Sequence, residues 1–249
     1  MKLRFKAFVV HLFGSALIAA LSAALVFLVW YPSPLSIAAG VVDIFLLLLA
    51  VDVVIGPCIT FVVFNPKKKE LKRDLTIVVA LQLMALIYGL HTVFIARPAY
   101  LVFNADRFDM VYANDLSEEK RSQATNPEFR DLPIWGPQIV AARGPQDREA
   151  RNKLLFDVLK GGDDLPLLPQ YYISYPEAKD EARNKIRSLD ELERYNKNQA
   201  EKVASLIGRY KQQDVGYLPL RGTQQDLTVI VRRDTAEVLS IENLRPWSF

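Results

Sequence analysis

Cysteine and histidine are nearly missing from this chain. It holds one Cys and two His in 249 residues, and Cys58, His11 and His91 all fall before residue 98. Residues 98–249 therefore offer no thiol nucleophile, no imidazole base and few transition-metal ligand sets. They also offer no disulfide, so this part must fold on its apolar core alone. About 150 residues suffice for one domain. A GxSxG elbow, a P-loop and a glycine-rich dinucleotide turn are absent as well. No internal repeat, low-complexity tract or linker suggests a second soluble domain. No cofactor is expected.

A clustered basic surface is lacking too. The formal net charge is +3, with 9 Lys/Arg against 4 Asp/Glu in residues 1–97 and 22 against 24 in residues 98–249. The positive surplus sits beside apolar segments, which excludes a nucleic-acid partner.

What the first part has in abundance is apolar length. Residues 7–30 are uncharged, residues 37–64 carry only Asp43 and Asp52, and residues 75–96 hold Gln82 and His91. A helix needs about 20 apolar residues to cross the hydrocarbon core, so these three runs predict three spans. The first has a basic start but runs on past Ser22-Ala23-Ala24 to Trp30. A signal h-region is about 7–15 residues, so this run is expected to be an uncleaved span. Lys2, Arg4 and Lys6 precede it, and Lys67, Lys68, Lys69, Lys72 and Arg73 lie between the second and third, whereas residues 31–36 have no Lys or Arg. That bias predicts a cytoplasmic N-terminus and a cytoplasmic 65–74 loop, with everything after Ala96 across the membrane.

Asp52, followed by Gly56-Pro57, is the anomaly. A charge at mid-bilayer costs about 2.5–3.5 kcal/mol on insertion scales, so it needs a reason. Two readings stay open. Asp52 is expected to clasp Gln82, Tyr88 or His91 on the return helix, with the proline freeing a carbonyl and kinking its helix. Alternatively it meets a transmembrane helix of another protein. An intramembrane aspartyl dyad with Asp43 is excluded: nine residues at 100° place the two on opposite faces, about 13 Å apart along the axis.

Beyond the spans the pattern is mixed. Residues 100–103 and 108–112 read as short strands joined through Asn104-Ala105-Asp106-Arg107, and residues 146–159 as a helix stopped by Gly161-Gly162. Ser188 to Glu191 reads as a capping box opening a helix that continues through about Gln212. Residues 226–232 and 237–241 read as a hairpin. Asp106, Arg107 and Asp109 are expected to form a salt-bridged turn. Asp163-Asp164 reads as a solvated turn, and Tyr171-Tyr172 and Tyr175 as packing aromatics.

Five blocks in order, "VDVVIGPCITFVVFNPKKKELKRDL", "LIYGLHTVFIARPAYLVFNADRFDMVYANDL", "LPIWGPQIVAA", "LPQYYISYPEA" and "GYLPLRGTQQDLTVIVRRDTAEVLSIENLRPW", cover about residues 40–247. They resemble the TfpX/TfpZ family of type IV pilin accessory proteins. The resemblance implies a bacterial inner-membrane protein, without enzymatic activity, that serves the major type IV pilin as a chaperone or assembly factor. Its fold would be three N-terminal transmembrane α-helices followed by an α+β periplasmic domain with a C-terminal antiparallel β-hairpin. The domains would be 1–97 (spans about 7–30, 37–64 and 75–96) and 98–249. Partners implied are the pilin and membrane lipids. Matching motifs place candidate positions at Asp52, Gly56 and Pro57, at Arg97, Pro98, Asp106, Arg107 and Phe108, and at Trp135, Tyr171, Tyr172, Arg221, Gly222 and Trp247. Arg97 is expected to snorkel to headgroups, and Gly222 to allow a turn. Gln82, Tyr88 and His91 join the candidates as Asp52 neighbours. The alternatives are a subunit of an enzyme modifying pilin, which the missing His and Cys disfavour, and a sensor or transport component, which the short cytoplasmic parts disfavour.

Overall fold

A computed structural model describes residues 1–248. The chain divides into two units: Met1–Ser36 with Gly40–Ala96, and Ile37–Ala39 with the chain from Arg97 onward.

The first unit is three helices, Lys2–Trp30, Val41–Val63 and Leu71–Ile95, each long and apolar enough to cross a membrane. At 1.5 Å per residue, all exceed the roughly 30 Å hydrocarbon thickness. Their bounds differ from the apolar runs for physical reasons. The first extends back to Lys2 because a basic turn is a good helix former and needs no apolar face. The second begins at Val41, after Gly40 takes the left-handed conformation (φ 70°) and breaks the preceding short helix Leu35–Ala39. The third begins at Leu71, not at residue 75. Its charged first turn is held by Arg73 Nη2 donating to Glu70 Oε2 at 2.6 Å and by the Lys68–Asp74 ion pair. Large apolar side chains such as Phe13, Leu28, Leu47 and Val62 stay exposed on the unit's outside, as suits helices whose solvent is lipid. Tyr31 Oη donates to the Val93 carbonyl at 2.9 Å, and the Trp30 and Phe94 rings meet at 5.0 Å, which ties the first helix to the third.

Upstream of Pro57 the helix departs from α-geometry. The proline's missing N–H and its ring clash disturb the ladder toward Val53, and residues Val51–Ile55 widen into a π-helical turn before α-geometry resumes at Gly56–Val63. Asp52 sits in that widened turn.

The second unit is built on one mixed sheet of seven strands. Its strands are β1 (Pro98–Asn104), β2 (Arg107–Tyr112), β3 (Gln138–Ala142), β4 (Tyr172–Ser174), β5 (Val215–Arg221), β6 (Leu227–Arg232) and β7 (Val238–Glu242). The order is β4-β3-β1-β2-β5-β6-β7. β1–β2, β3–β4, β5–β6 and β6–β7 are antiparallel; β1–β3 and β2–β5 are parallel. Both expected hairpins are present. Ala105 (φ 59°) turns β1 into β2 and Ala236 (φ 52°) turns β6 into β7. The central strands are buried over nearly their whole length, so they carry continuous apolar runs instead of an alternation. One core cluster gathers Tyr100, Phe129 and Tyr172 edge to face at 5.4–6.3 Å. The other gathers Leu192, Val203, Leu206, Tyr217, Ile230 and Leu244.

Three local expectations are corrected. The helix expected from Glu191 through about Gln212 is broken into Glu191–Tyr195 and Ala200–Arg209. The cause is Asn196, which is fully buried. Its Nδ2 donates to the Leu192 and Arg245 carbonyls at 2.9 Å each, and its Oδ1 accepts from Arg245 N at 2.8 Å. A buried amide stitched to the distant C-terminal segment outcompetes one more helical turn. Ser188 makes no capping box; its hydroxyl donates to Asp190 Oδ2 at 3.2 Å instead. Arg97 does not snorkel. It is 4% exposed, and its Nε and Nη2 donate to the Pro133 carbonyl at 3.2 and 2.9 Å. The Gly161 stop (φ 89°) and the Asp147 cap, whose Oδ2 accepts from Ala150 N at 2.8 Å, frame the helix Arg148–Leu159.

Asn196→Ala would remove the partner of the Arg245 N–H and C=O, both part-buried, and leave a void at a fully buried position. It is expected to lower stability by about 2–4 kcal/mol, read as a shift of the urea midpoint for the full-length protein in detergent. A loss under about 0.5 kcal/mol would contradict the role given to this amide.

Candidate functional site

The three helices of the first unit do not close on one another completely. Between them lies a groove of about 580 Å³, walled by apolar side chains including Val10, Ile18, Leu49, Val79, Leu83 and Leu86. Its polar lining is Lys6, His11 and Ser15 from the first helix, Asp52 and Thr60 from the second, and Gln82 from the third. His11 Nδ1 and Thr60 Oγ1 form a hydrogen bond of 2.6 Å. Gln82 Nε2 donates to the Asp52 backbone carbonyl at 3.1 Å. That approach requires glycine at 56, because a Cβ there would lie 1.8 Å from Gln82 Nε2. Asp52 is 7% exposed, and neither oxygen of its carboxyl has a hydrogen-bond partner among the described residues.

The clasp expected for Asp52 is thereby corrected. Gln82 does meet Asp52, but at its main chain, and the carboxyl bonds none of Gln82, Tyr88 and His91. Tyr88 is 74% exposed and His91 is exposed as well. A third helix starting at residue 75 would put Tyr88 near the depth of Asp52. With the third helix starting at Leu71, Asp52 and Gln82 lie equally far from the loop ends, Val63 and Leu71, of their helices. His11 and Thr60 were missed as neighbours of Asp52. The signal that marks Asp52, a polar side chain in an apolar span, applies to both. Asp43 is exposed, on a different face from buried Asp52.

In the second unit the sheet register builds a charge cluster. Asp109 stands opposite Arg221 across the parallel β2–β5 pair, and Arg221 Nε meets Asp109 Oδ1 at 2.6 Å. Arg107 reaches Asp109 Oδ1 and Asp106 Oδ1 at 3.4 Å each, and Arg187 Nη2 reaches Asp106 Oδ2 at 3.3 Å. The expected salt-bridged turn therefore exists, enlarged by Arg187 and Arg221. Asp109 is 3% exposed. Its burial pushes its carboxyl above the usual value of 3.8, with Arg221 and Arg107 pulling the other way.

The remaining candidates are scattered. Phe108 is buried against Phe103 and Tyr175, with ring centroids at 5.5 and 5.4 Å. Tyr172 is buried and donates to the Pro166 carbonyl, while Tyr171 is half-buried. Trp135 is 82% exposed. Trp247 Nε1 donates to Asp226 Oδ2 at 2.8 Å, beside Gly222, whose N–H donates to Asp226 Oδ1 at 3.2 Å. Asp164 caps the turn Leu165–Leu167, and Asp163 pairs with Lys120 at 2.8 Å. Among the described residues, no three His, Cys, Asp or Glu side chains gather to hold a metal ion.

Three candidate spans followed by an α/β domain define a membrane protein with a soluble domain. The family model of the fimbrial assembly protein FimB matches residues 1–40, the stretch that precedes the motif blocks. A fimbrial assembly protein of serogroup I from Dichelobacter nodosus is 33% identical over 182 residues, covering 72% of this chain and 70% of the relative. A second, of serogroup E1 from the same organism, is 30% identical over 216 residues, covering 85% and 83%. The chain belongs to this family of fimbrial assembly proteins, in accord with its resemblance to type IV pilin accessory proteins. No solved structure matches it significantly.

Two outcomes follow from the two clusters. Gly56→Ala must expel the Gln82 side chain, so it is expected to destabilise the protein by about 0.5–1.5 kcal/mol, yet to do almost nothing in a Gln82→Ala background. A double-mutant cycle in detergent measures this; equal effects in both backgrounds would refute the contact. For Asp109, the folded state keeps its proton at pH values where the unfolded chain has lost it. Its contribution is thus fully present below 3.8 and is lost as pH rises through the raised folded value. Unfolding free energies of the wild type should fall across that window, and those of Asp109→Asn should lack that part of the fall.

Proposed function

We propose that this protein binds the major pilin in the bacterial inner membrane and stabilises it before assembly, acting in pilus biogenesis as a non-enzymatic chaperone. The observation that carries the reading is the combination, in one chain, of an incompletely packed membrane unit with a soluble α/β unit. A pilin awaiting assembly has one transmembrane helix and a globular head, and two such units can address both parts. The family supports the same direction, since both relatives described above are named fimbrial assembly proteins. Residues 1–97 form the membrane domain and residues 98–249 the periplasmic one. The Lys/Arg excess before residue 7 and at residues 67–73, against none at residues 31–36, supports a cytoplasmic N-terminus and 65–74 loop. The non-enzymatic reading draws support from the soluble unit's charged groups. Asp106, Arg107, Asp109, Arg187 and Arg221 are bound to one another, as befits structural ion pairs.

Pull-down of the full-length protein from solubilised inner membranes, paired with pilin levels in a strain lacking it, tests this. The expected result is co-purified major pilin together with pilin loss in the deletion. If neither appears, the client is something else.

A further inference from the structure

Resting on the reading that a pilus subunit is the client, we infer that the groove around Asp52 is the docking site for that subunit's transmembrane helix, and that this helix presents a hydrogen-bond donor to the Asp52 carboxyl. None of the donors that line the groove, Lys6 and Ser15 included, bonds the Asp52 carboxyl. His11 and Thr60 bond one another, and the Gln82 amide is spent on the Asp52 main chain. The carboxyl is left buried with both oxygens unpaired, an arrangement that burial without a partner penalises heavily. Whatever fills the groove must therefore supply polar complementarity at this depth as well as apolar volume. A lipid acyl chain supplies volume alone. A helix carrying a hydroxyl, amide or amine among apolar side chains supplies both.

The dimensions agree. A space of about 580 Å³ takes the side chains of one helix face, not a whole helix. It is open to lateral entry, since its wall residues Val10 and Ile18 are 65% and 41% exposed. Gly14 on the first helix also borders it, and a Cβ there meets nothing within 4 Å. The first helix thus leaves room on the side from which a partner would enter.

The test places a photo-crosslinking amino acid at Val10 in the full-length protein in pilin-expressing cells, with Leu28, which is exposed and does not line the groove, as the control position. The expected adduct contains the pilin, joined through its transmembrane segment, at Val10 and not at Leu28. Asp52→Leu should reduce its yield about three- to tenfold, the worth of one interhelical hydrogen bond. Asp52→Asn, which keeps an acceptor, should retain it. Gly14→Phe, which fills the groove without touching Asp52, should abolish it and guards against loss through misfolding of the Asp52→Leu variant. An adduct with a second copy of this chain, no protein adduct at Val10, equal adducts at both positions, or indifference to both Asp52→Leu and Gly14→Phe would each overturn the inference. The two readings fail separately. Pilin that co-purifies equally with wild type, Asp52→Leu and Gly14→Phe sinks the groove alone, whereas wild type that captures no pilin sinks the client.

Discussion

Hydrocarbon offers no hydrogen-bond partner, and the membrane unit is arranged around that fact. A polar side chain carried into an apolar span has to find its partner on its own helix, as Thr92 does at the Tyr88 carbonyl, or on a neighbouring one, or remain unsatisfied. His11 finds Thr60 and Gln82 finds the main chain at Asp52. Glycine at 56 removes the one Cβ that would block the second contact. The π-turn before Pro57 carries Asp52 into the same space. These contacts draw three helices together at one level and leave a groove beside them, in which the Asp52 carboxyl and the Gln82 Oε1 are buried acceptors that meet no donor among the described residues.

The soluble unit solves a different problem with different means. Without disulfides, a domain of this size depends on burying its sheet on aromatic and aliphatic side chains. It uses tyrosine hydroxyls to tie peripheral segments to that core. Tyr217 donates to the Pro246 carbonyl and Tyr175 to the Ala236 carbonyl, at 2.9 and 2.7 Å. Burial correspondingly pushes both phenols up from their ordinary value, so neither hydroxyl is poised to lose a proton near neutral pH. Asn196 and Thr228 hold the final segment in the same manner, the latter donating to the Leu244 carbonyl at 2.9 Å. Of the charged residues that motif comparison singles out, Arg107 and Arg221 pair with the Asp109 carboxylate that the β2–β5 pairing buries, and Asp106 holds Arg107 and Arg187.

Which features were readable in the residues alone follows from how local their causes are. Span number and identity rest on composition over some twenty residues, and they survive with shifted ends. The hairpin turns at residues 104–107 and 233–236 rest on a few neighbouring residues. The sheet as a whole was not readable. β3, β4 and β5 pair with strands far away in sequence, and the short β4 has no signal of its own beyond Tyr172. The helix break at Asn196 was hidden because its cause, the main chain of Arg245, lies at the other end of the domain. Arg97 reads as a membrane anchor from its neighbours, yet its guanidinium is claimed by Pro133.

The same division applies to the candidate site. The sequence by itself determined that Asp52 is an anomaly, since a carboxylate in an apolar span is costly wherever its helix packs. It also pointed to Gly56 and Pro57 on the same span and to Gln82, Tyr88 or His91 on the third, of which Gln82 alone meets Asp52. Only the tertiary structure decided what surrounds it. Which faces of three apolar helices meet depends on side-chain fit at every crossing, not on any periodic pattern, because lipid supplies little contrast between inside and outside. That packing brought His11 and Thr60 to the level of Asp52, turned Tyr88 and His91 away, and left a carboxyl in a groove with nothing of its own to bond.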